Sequence, residues 1–220
     1  MDFNIPNQLT IARLFLALAL FVVFFLAKEM PSFFQVLMDT GFAIFCLAAL
    51  SDFLDGYLAR KWNMTSDFGR VADPLMDKII ICGSFVFLLS YPAFPIQPWM
   101  VVVIIGREFL VNGLRGYAES KGIPFGANIW GKAKMTCQSL TIGWSLLYLA
   151  HLKNFQGTRE LSLILIYLTV LITIYSGLVY ILQARHLFRK KEQNQKPKEE
   201  ELKMSSPENS SPQEKNLRKQ

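Results

Sequence analysis

Residues 161–182 read LSLILIYLTVLITIYSGLVYIL and hold no charge at all. A helix of about 20 apolar residues crosses a bilayer core roughly 30 Å thick. A second run, Ile11–Ala27, has Arg13 as its one charge. Working outward from these two gives six expected spans, near 9–27, 34–58, 73–91, 98–118, 133–152 and 161–186. Turn-forming residues punctuate the gaps: Pro31, then Tyr91-Pro92 through Pro98, then Gly122–Gly131, then Asn154–Gly157. Composition agrees, since 52% of the 220 residues are hydrophobic and 18 are phenylalanine. Charged residues make up 18%, below the ~25% of soluble domains. The expected fold class is an all-α integral membrane protein with six transmembrane helices.

The N-terminus lacks the basic stretch and small-residue cleavage site of a removable signal. Cys46, Cys82 and Cys137 fall in apolar runs without metal-ligand spacing, and are expected as buried, unpaired thiols. His151 and His186 stand near span ends and read as interfacial side chains. Six spans leave both termini on one side. Of 23 lysines and arginines, 20 fall at the termini and in the 59–72 and 107–134 regions, counting adjoining helix ends. The opposite connections hold Lys28, Lys153 and Arg159. The positive-inside rule therefore places both termini in the cytoplasm, in a multi-pass cell-membrane protein.

Sequence character changes at Glu192. Residues 192–220 carry six acidic and six basic residues and almost nothing apolar. Such a segment buries too little surface to offset its ordering entropy, so it is expected as a disordered cytoplasmic tail. Residues 1–191 are expected to form one six-helix membrane domain. Arg185, Arg189, Lys190 and Lys191 would anchor the last span to anionic headgroups.

Charges inside spans are costly and mark function. Here they gather in SDFLDGYLARKWNMTSDFGRVADPLMDK, residues 51–78. Asp52 and Asp55 are three apart near the end of the second span. Asp73 and Asp77 are four apart near the start of the third. Each pair shares a helix face. Two helices joined by a short connection bring four carboxylates to one pocket at the cytoplasmic interface. So many carboxylates repel unless cations sit among them. An all-oxygen donor set suits Mg2+ or Mn2+, and two such ions about 3.5–4 Å apart clamp a pyrophosphate. Gly56 and Gly69 let a bulky ligand approach the backbone, and Arg60 can bond phosphate oxygens. Pro74 loses no backbone bond if it lies in the first helical turn. Capping, or pairing with Arg60, Lys61, Arg70 and Lys78, explains any one aspartate. It does not explain four at these spacings with two glycines and an arginine.

The pattern D-x2-D-G-x2-A-R-x8-G-x3-D-x3-D stands complete as Asp52, Asp55, Gly56, Ala59, Arg60, Gly69, Asp73 and Asp77. It resembles the signature of the CDP-alcohol phosphotransferases. That resemblance implies the six-span fold of the family, a site open to the cytoplasm, a homodimer, and Mg2+ or Mn2+ dependence. It further implies that Asp52, Asp55 and Asp73 bind metal, with Asp77 metal-adjacent and the general base. Gly56, Arg60 and Gly69 would accommodate the cytidine diphosphate. IPNQLTIAR at Ile5–Arg13, DPLMDK at Asp73–Lys78, GREF at Gly106–Phe109 and GKAKMTCQ at Gly131–Gln138 resemble the bacterial phosphatidylglycerophosphate synthase subgroup. That subgroup transfers the phosphatidyl group of CDP-diacylglycerol to glycerol 3-phosphate. Asn7 and Thr10 could then reach the nucleotide, although a helix-start role explains Asn7 nearly as well. The subgroup's usual run after the second lysine is Lys-Thr, whereas Met135 here separates Lys134 from Thr136.

The acceptor has an argument of its own. Arg107 lies nine residues after Pro98, about 13 Å into the fourth span, and must face a polar cavity or a partner. Arg115 is about 80° further round and can border the same cavity. Lys132, Thr136 and Ser139 form a polar stripe on the fifth span, with Lys134 beside it. Arg107, Arg115, Lys132 and Lys134 are therefore the candidate acceptor-phosphate residues. The competing reading pairs Arg107 with Glu108 and lets the lysines snorkel at the interface. Membrane lipids are the other expected partners, and no nucleic acid is expected. Another acceptor such as inositol phosphate would keep the chemistry. A transporter would set its carboxylates nearer the bilayer midplane.

Overall fold

The structure is a computed structural model that describes residues 5–62, 67–123, 126 and 128–204, with side chains described for 12–51, 75, 78–123, 126 and 128–187. Among the described residues six long helices follow one another: α1 (Ile5–Glu29), α2 (Phe34–Trp62), α3 (Asp67–Leu88), α4 (Pro98–Ser120), α5 (Ile129–Leu147) and α6 (Thr158–Met204). A 3-10 turn, Pro31–Phe33, leads into α2, and a π-helical turn, Tyr148–Leu152, continues α5. No strand occurs among the described residues. Local signals set several ends. Pro98 opens α4, in the first turn where a missing N–H removes no helical bond. The Asn128 side chain caps α5 by accepting from the Trp130 N–H at 3.4 Å.

Two boundaries depart from the sequence expectation. α3 begins at Asp67, several residues before the apolar window, because polar first turns are invisible to hydropathy. Pro74 is thereby the eighth residue of α3, past the first turn, and its missing N–H does remove a helical bond. α6 continues to Met204, beyond the point where the sequence turns polar. The Glu, Gln and Lys of 192–204 are good helix formers, and adding them to an existing helix needs no new nucleus. Residues 205–220 lie outside the described residues.

The chain divides into two compact units, residues 1–110 with 127–177 and residues 111–126 with 178–220. In the first, α1 packs on α2 and α3, and both of these pack on α5. Ala17, Leu20, Phe24, Met38, Phe85 and Leu146 lie at the centre of its core. Phe21 and Phe24 both stack on Phe87, with centroids at 5.3 and 5.5 Å. The Tyr91 hydroxyl donates to the Phe24 carbonyl at 2.5 Å, fixing the turn after α3 onto α1. In the second unit Gly122, at φ +63°, ends α4. The Ile123 N–H reaches back to the Ala118 carbonyl at 2.9 Å, a closure that needs a left-handed residue at position 122.

α6 is inverted relative to a water-soluble helix. Ser162, Thr173 and Ser176 are 0% exposed, whereas Leu171 and Leu182 are 63% and 64% exposed. α1 likewise exposes Phe15, Leu18, Val22 and Phe25. Outward leucines with inward hydroxyls suit a hydrocarbon solvent, since water-soluble surfaces rarely expose apolar patches of this extent. Pro31–Ser51 and Thr158–Leu187 are each long and apolar enough to cross a membrane.

Candidate active site

The backbone places the aspartate motif on two consecutive helices. Asp52, Asp55, Gly56 and Arg60 lie in the last three turns of α2, and Gly69, Asp73 and Asp77 in the first three turns of α3. Four residues, 63–66, separate the helices. The side chains of these seven, and of Asn7 and Thr10 on the first turns of α1, lie outside the described residues. Among the described residues no group of three or more His, Cys, Asp or Glu could hold a metal ion. The motif supplies only carboxylate oxygens at helical spacings of three and four. That donor chemistry fits a hard divalent cation.

Immediately past the motif lies a small cavity of about 110 Å³. Ala48 and Ala49, one turn before Asp52, line it together with Ile80 and Ile81, one turn after Asp77. Arg13 and Ser139 supply its polar wall. Arg13 is 1% exposed, so this lone charge of the first apolar run points into protein and not into lipid.

The four predicted acceptor cations do not behave alike. Lys134 is buried and donates to Oε1 of Glu108, itself buried on α4. Arg107 donates from Nη1 to the same oxygen at 3.3 Å, and from Nε to Ser176 Oγ on α6 at 3.1 Å. The structure thus brings Arg107 and Lys134 together around one carboxylate. Lys132 is exposed, because residues two apart on a helix point about 200° apart. Thr136, also exposed, gives its hydroxyl to the Lys132 carbonyl of its own helix at 3.2 Å. Ser139 of that stripe lines the cavity described above. Arg115 is exposed and belongs to the second unit. Lys134 sits on α5, and α5 packs on α3, the helix that carries two of the aspartates.

A polar seam between α5 and α6 has no counterpart in the sequence reading. Thr141 and Thr169 share a hydrogen bond at 2.7 Å, Gln138 donates to Thr173 at 3.3 Å, and the Trp144 indole donates to Ser162 at 2.9 Å. Its signal was present: Ser162, Thr169, Thr173 and Ser176 fall on one helical stripe of a span without charge. The thiols are free as expected, but Cys46 is exposed and Cys82 and Cys137 half-buried. Each lies on a helix that carries outward apolar side chains, where a small thiol needs no cover. His151 Nδ1 accepts from the Gln35 Nε2 amide at 2.8 Å, its Nε2 donates to Asp39 Oδ1 at 2.7 Å, and the ring is partly exposed.

A family model described as CDP-alcohol phosphatidyltransferase matches residues 3–175. The chain belongs to that family. Three relatives share one activity in their names. A Mycoplasma pneumoniae protein is 38% identical over 151 residues, 63% of this chain and 66% of that protein. A Bacillus subtilis protein is 35% identical, over 66% of this chain and 78% of its own length. A Haemophilus influenzae protein is 32% identical, over 84% of this chain and 95% of its own. All three are named CDP-diacylglycerol–glycerol-3-phosphate 3-phosphatidyltransferase. This CDP-alcohol phosphatidyltransferase family member is accordingly an enzyme, a transferase and a membrane protein, from a family that depends on divalent metal.

Proposed function

We infer that the protein moves the phosphatidyl group of CDP-diacylglycerol onto sn-glycerol 3-phosphate, giving phosphatidylglycerol phosphate and CMP in phospholipid biosynthesis. The observation that carries this reading is the complete eight-residue signature on the adjoining ends of α2 and α3. The names of the relatives supply the acceptor.

Asp52, Asp55, Asp73 and Asp77 hold the divalent ions, Mg2+ or Mn2+ and two in number. When bound, these supply charge neutralisation of the pyrophosphate and of the departing CMP. Asp77 takes the proton of the acceptor's primary hydroxyl. The freed oxygen attacks the β-phosphorus, which keeps its diacylglycerol, and the bond to the CMP oxygen breaks. Arg60 bonds the nucleotide's phosphate oxygens. Gly56 and Gly69 leave room for the cytidine diphosphate, and Asn7 and Thr10 contact it from α1. Arg107 and Lys134 receive the acceptor phosphate, with the exposed Arg115 and Lys132 completing the set. All six helices cross the cell membrane, with both termini and the site cytoplasmic, and two copies pair as a homodimer. Residues 1–191 form the catalytic domain, and 192–220 are a dispensable cytoplasmic tail.

The test is CMP release from radiolabelled CDP-diacylglycerol across a panel of acceptors. Glycerol 3-phosphate should be used strongly, and glycerol, serine and inositol hardly at all. Preference for inositol phosphate would overturn the acceptor while keeping the chemistry. Flux of a solute without CMP release would overturn the enzyme reading.

A further inference from the structure

Among the described residues Glu108 is the acid of the buried charge cluster, and the mechanism above gives it no task. A single oxygen, Oε1, accepts from Lys134 on α5 and from Arg107 on α4, while Arg107 is held on its other side by Ser176 of α6. Ser176 is in turn fixed by donating to the Thr173 carbonyl at 3.0 Å. The side chains of Lys134, Glu108 and Arg107 are 5%, 8% and 9% exposed. At that burial a carboxylate between two cations acts through a low effective dielectric and holds both donors in place.

The same carboxylate has a second effect of opposite sign. Among the described residues, the cluster offers an incoming phosphate monoester two cations, which attract it, and one anion, which repels it. The product retains that phosphate, so a pocket of bare cations would also hold the product. A carboxylate within the cluster weakens both complexes and favours release.

We propose that Glu108 is a positioning residue that aims Lys134 and Arg107 at the acceptor's phosphate and, by its charge, limits how tightly a phosphate monoester is held. This rests on the acceptor reading above. Glu108→Gln keeps an accepting oxygen and removes the charge, whereas Glu108→Ala removes both.

The assay is steady-state CMP release by the full-length protein in mixed micelles, varying glycerol 3-phosphate and CDP-diacylglycerol separately. Glu108→Gln should lower the acceptor KM about tenfold, the order expected for one buried charge several ångströms from the phosphate. It should also lower kcat, as release slows, and leave the lipid KM unchanged. Glu108→Ala should raise the acceptor KM. A rise in KM for both variants, or no change for Glu108→Gln, overturns the proposal and leaves a purely structural ion pair. Lys134→Met tests the underlying reading separately: an unchanged acceptor KM there refutes the phosphate assignment whatever Glu108 does. Should the glutamine protein fail to survive extraction, Glu108→Asp keeps the charge and shortens the reach. It should raise the acceptor KM, and an unchanged value overturns the proposal.

Discussion

Gly83 lies on α3, six residues past Asp77, where α3 packs on α1. A Cβ at this position would stand 2.2 Å from Cζ and 2.7 Å from Cε1 of Phe21. Non-bonded carbons prefer about 3.5–4.0 Å, so in Gly83→Ala the ring must move by more than an ångström. Its freedom is limited, since Phe21 stacks on Phe87 at 5.3 Å and Phe87 also carries Phe24. Breaking an aromatic pair forfeits about 0.5–1.5 kcal/mol, and overpacking costs about 1–3 kcal/mol. Replacing a helical glycine by alanine returns about 0.5–1 kcal/mol through propensity. Overpacking wins, by about 1–2 kcal/mol. For a chain of this size each kcal/mol moves Tm by about 2–4 °C, so a fall of roughly 2–8 °C is expected. The measurement is thermal denaturation of the purified protein in detergent, at one scan rate for every variant because unfolding of such proteins is commonly irreversible. Gly106→Ala is the control: nothing lies within 4 Å of its added Cβ, and its Tm should hold or rise slightly. Because α3 carries Asp73 and Asp77, Gly83→Ala should also lower kcat well below the melting range. A Gly83→Ala protein that melts at or above wild type would refute the reasoning, and would show that Phe21 swings into the lipid without resistance.

Stripping divalent metal should abolish CMP release, and Mg2+ or Mn2+ should restore it; full turnover in EDTA would sink the metal assignment. Asp77→Asn should lose about 10²–10⁴ in kcat while CDP-diacylglycerol still binds, and retention of more than about a tenth of wild-type kcat would move the proton elsewhere. Thr141→Val removes the 2.7 Å bond to Thr169, yet Thr169 keeps its bond to the Cys137 carbonyl at 3.4 Å. Hydrogen bonds between membrane helices average about 0.6 kcal/mol, so Tm should fall by only a few degrees, and a collapse in yield would contradict that scale. Deleting residues 192–220 should leave the solubilised enzyme active, and a folded but dead truncation would assign the tail to the site.

Much of this protein is legible in one dimension because two of its signals are local. A hydrocarbon core demands long apolar runs, and each of the six windows falls on a helix. The aspartates at three- and four-residue spacing, with Gly56 and Gly69, carry the family resemblance before any tertiary contact is known, and the family model matches residues 3–175. The ends were less legible. Hydropathy misses the polar first turns of α3, which moves Pro74 inside the helix, and it misses the helical continuation to Met204. What only the tertiary structure decides is direction. Sequence shows Lys132 and Lys134 as neighbours of equal charge, but the packing of α5 buries one against Glu108 and leaves the other exposed. It likewise shows Arg13 as one charge in an apolar run, and the packing of four helices turns that charge into a cavity beside the motif. The physical reason is common to both. The cost of a charge depends on what surrounds it in space, and chain neighbours determine that only when they share a helix face.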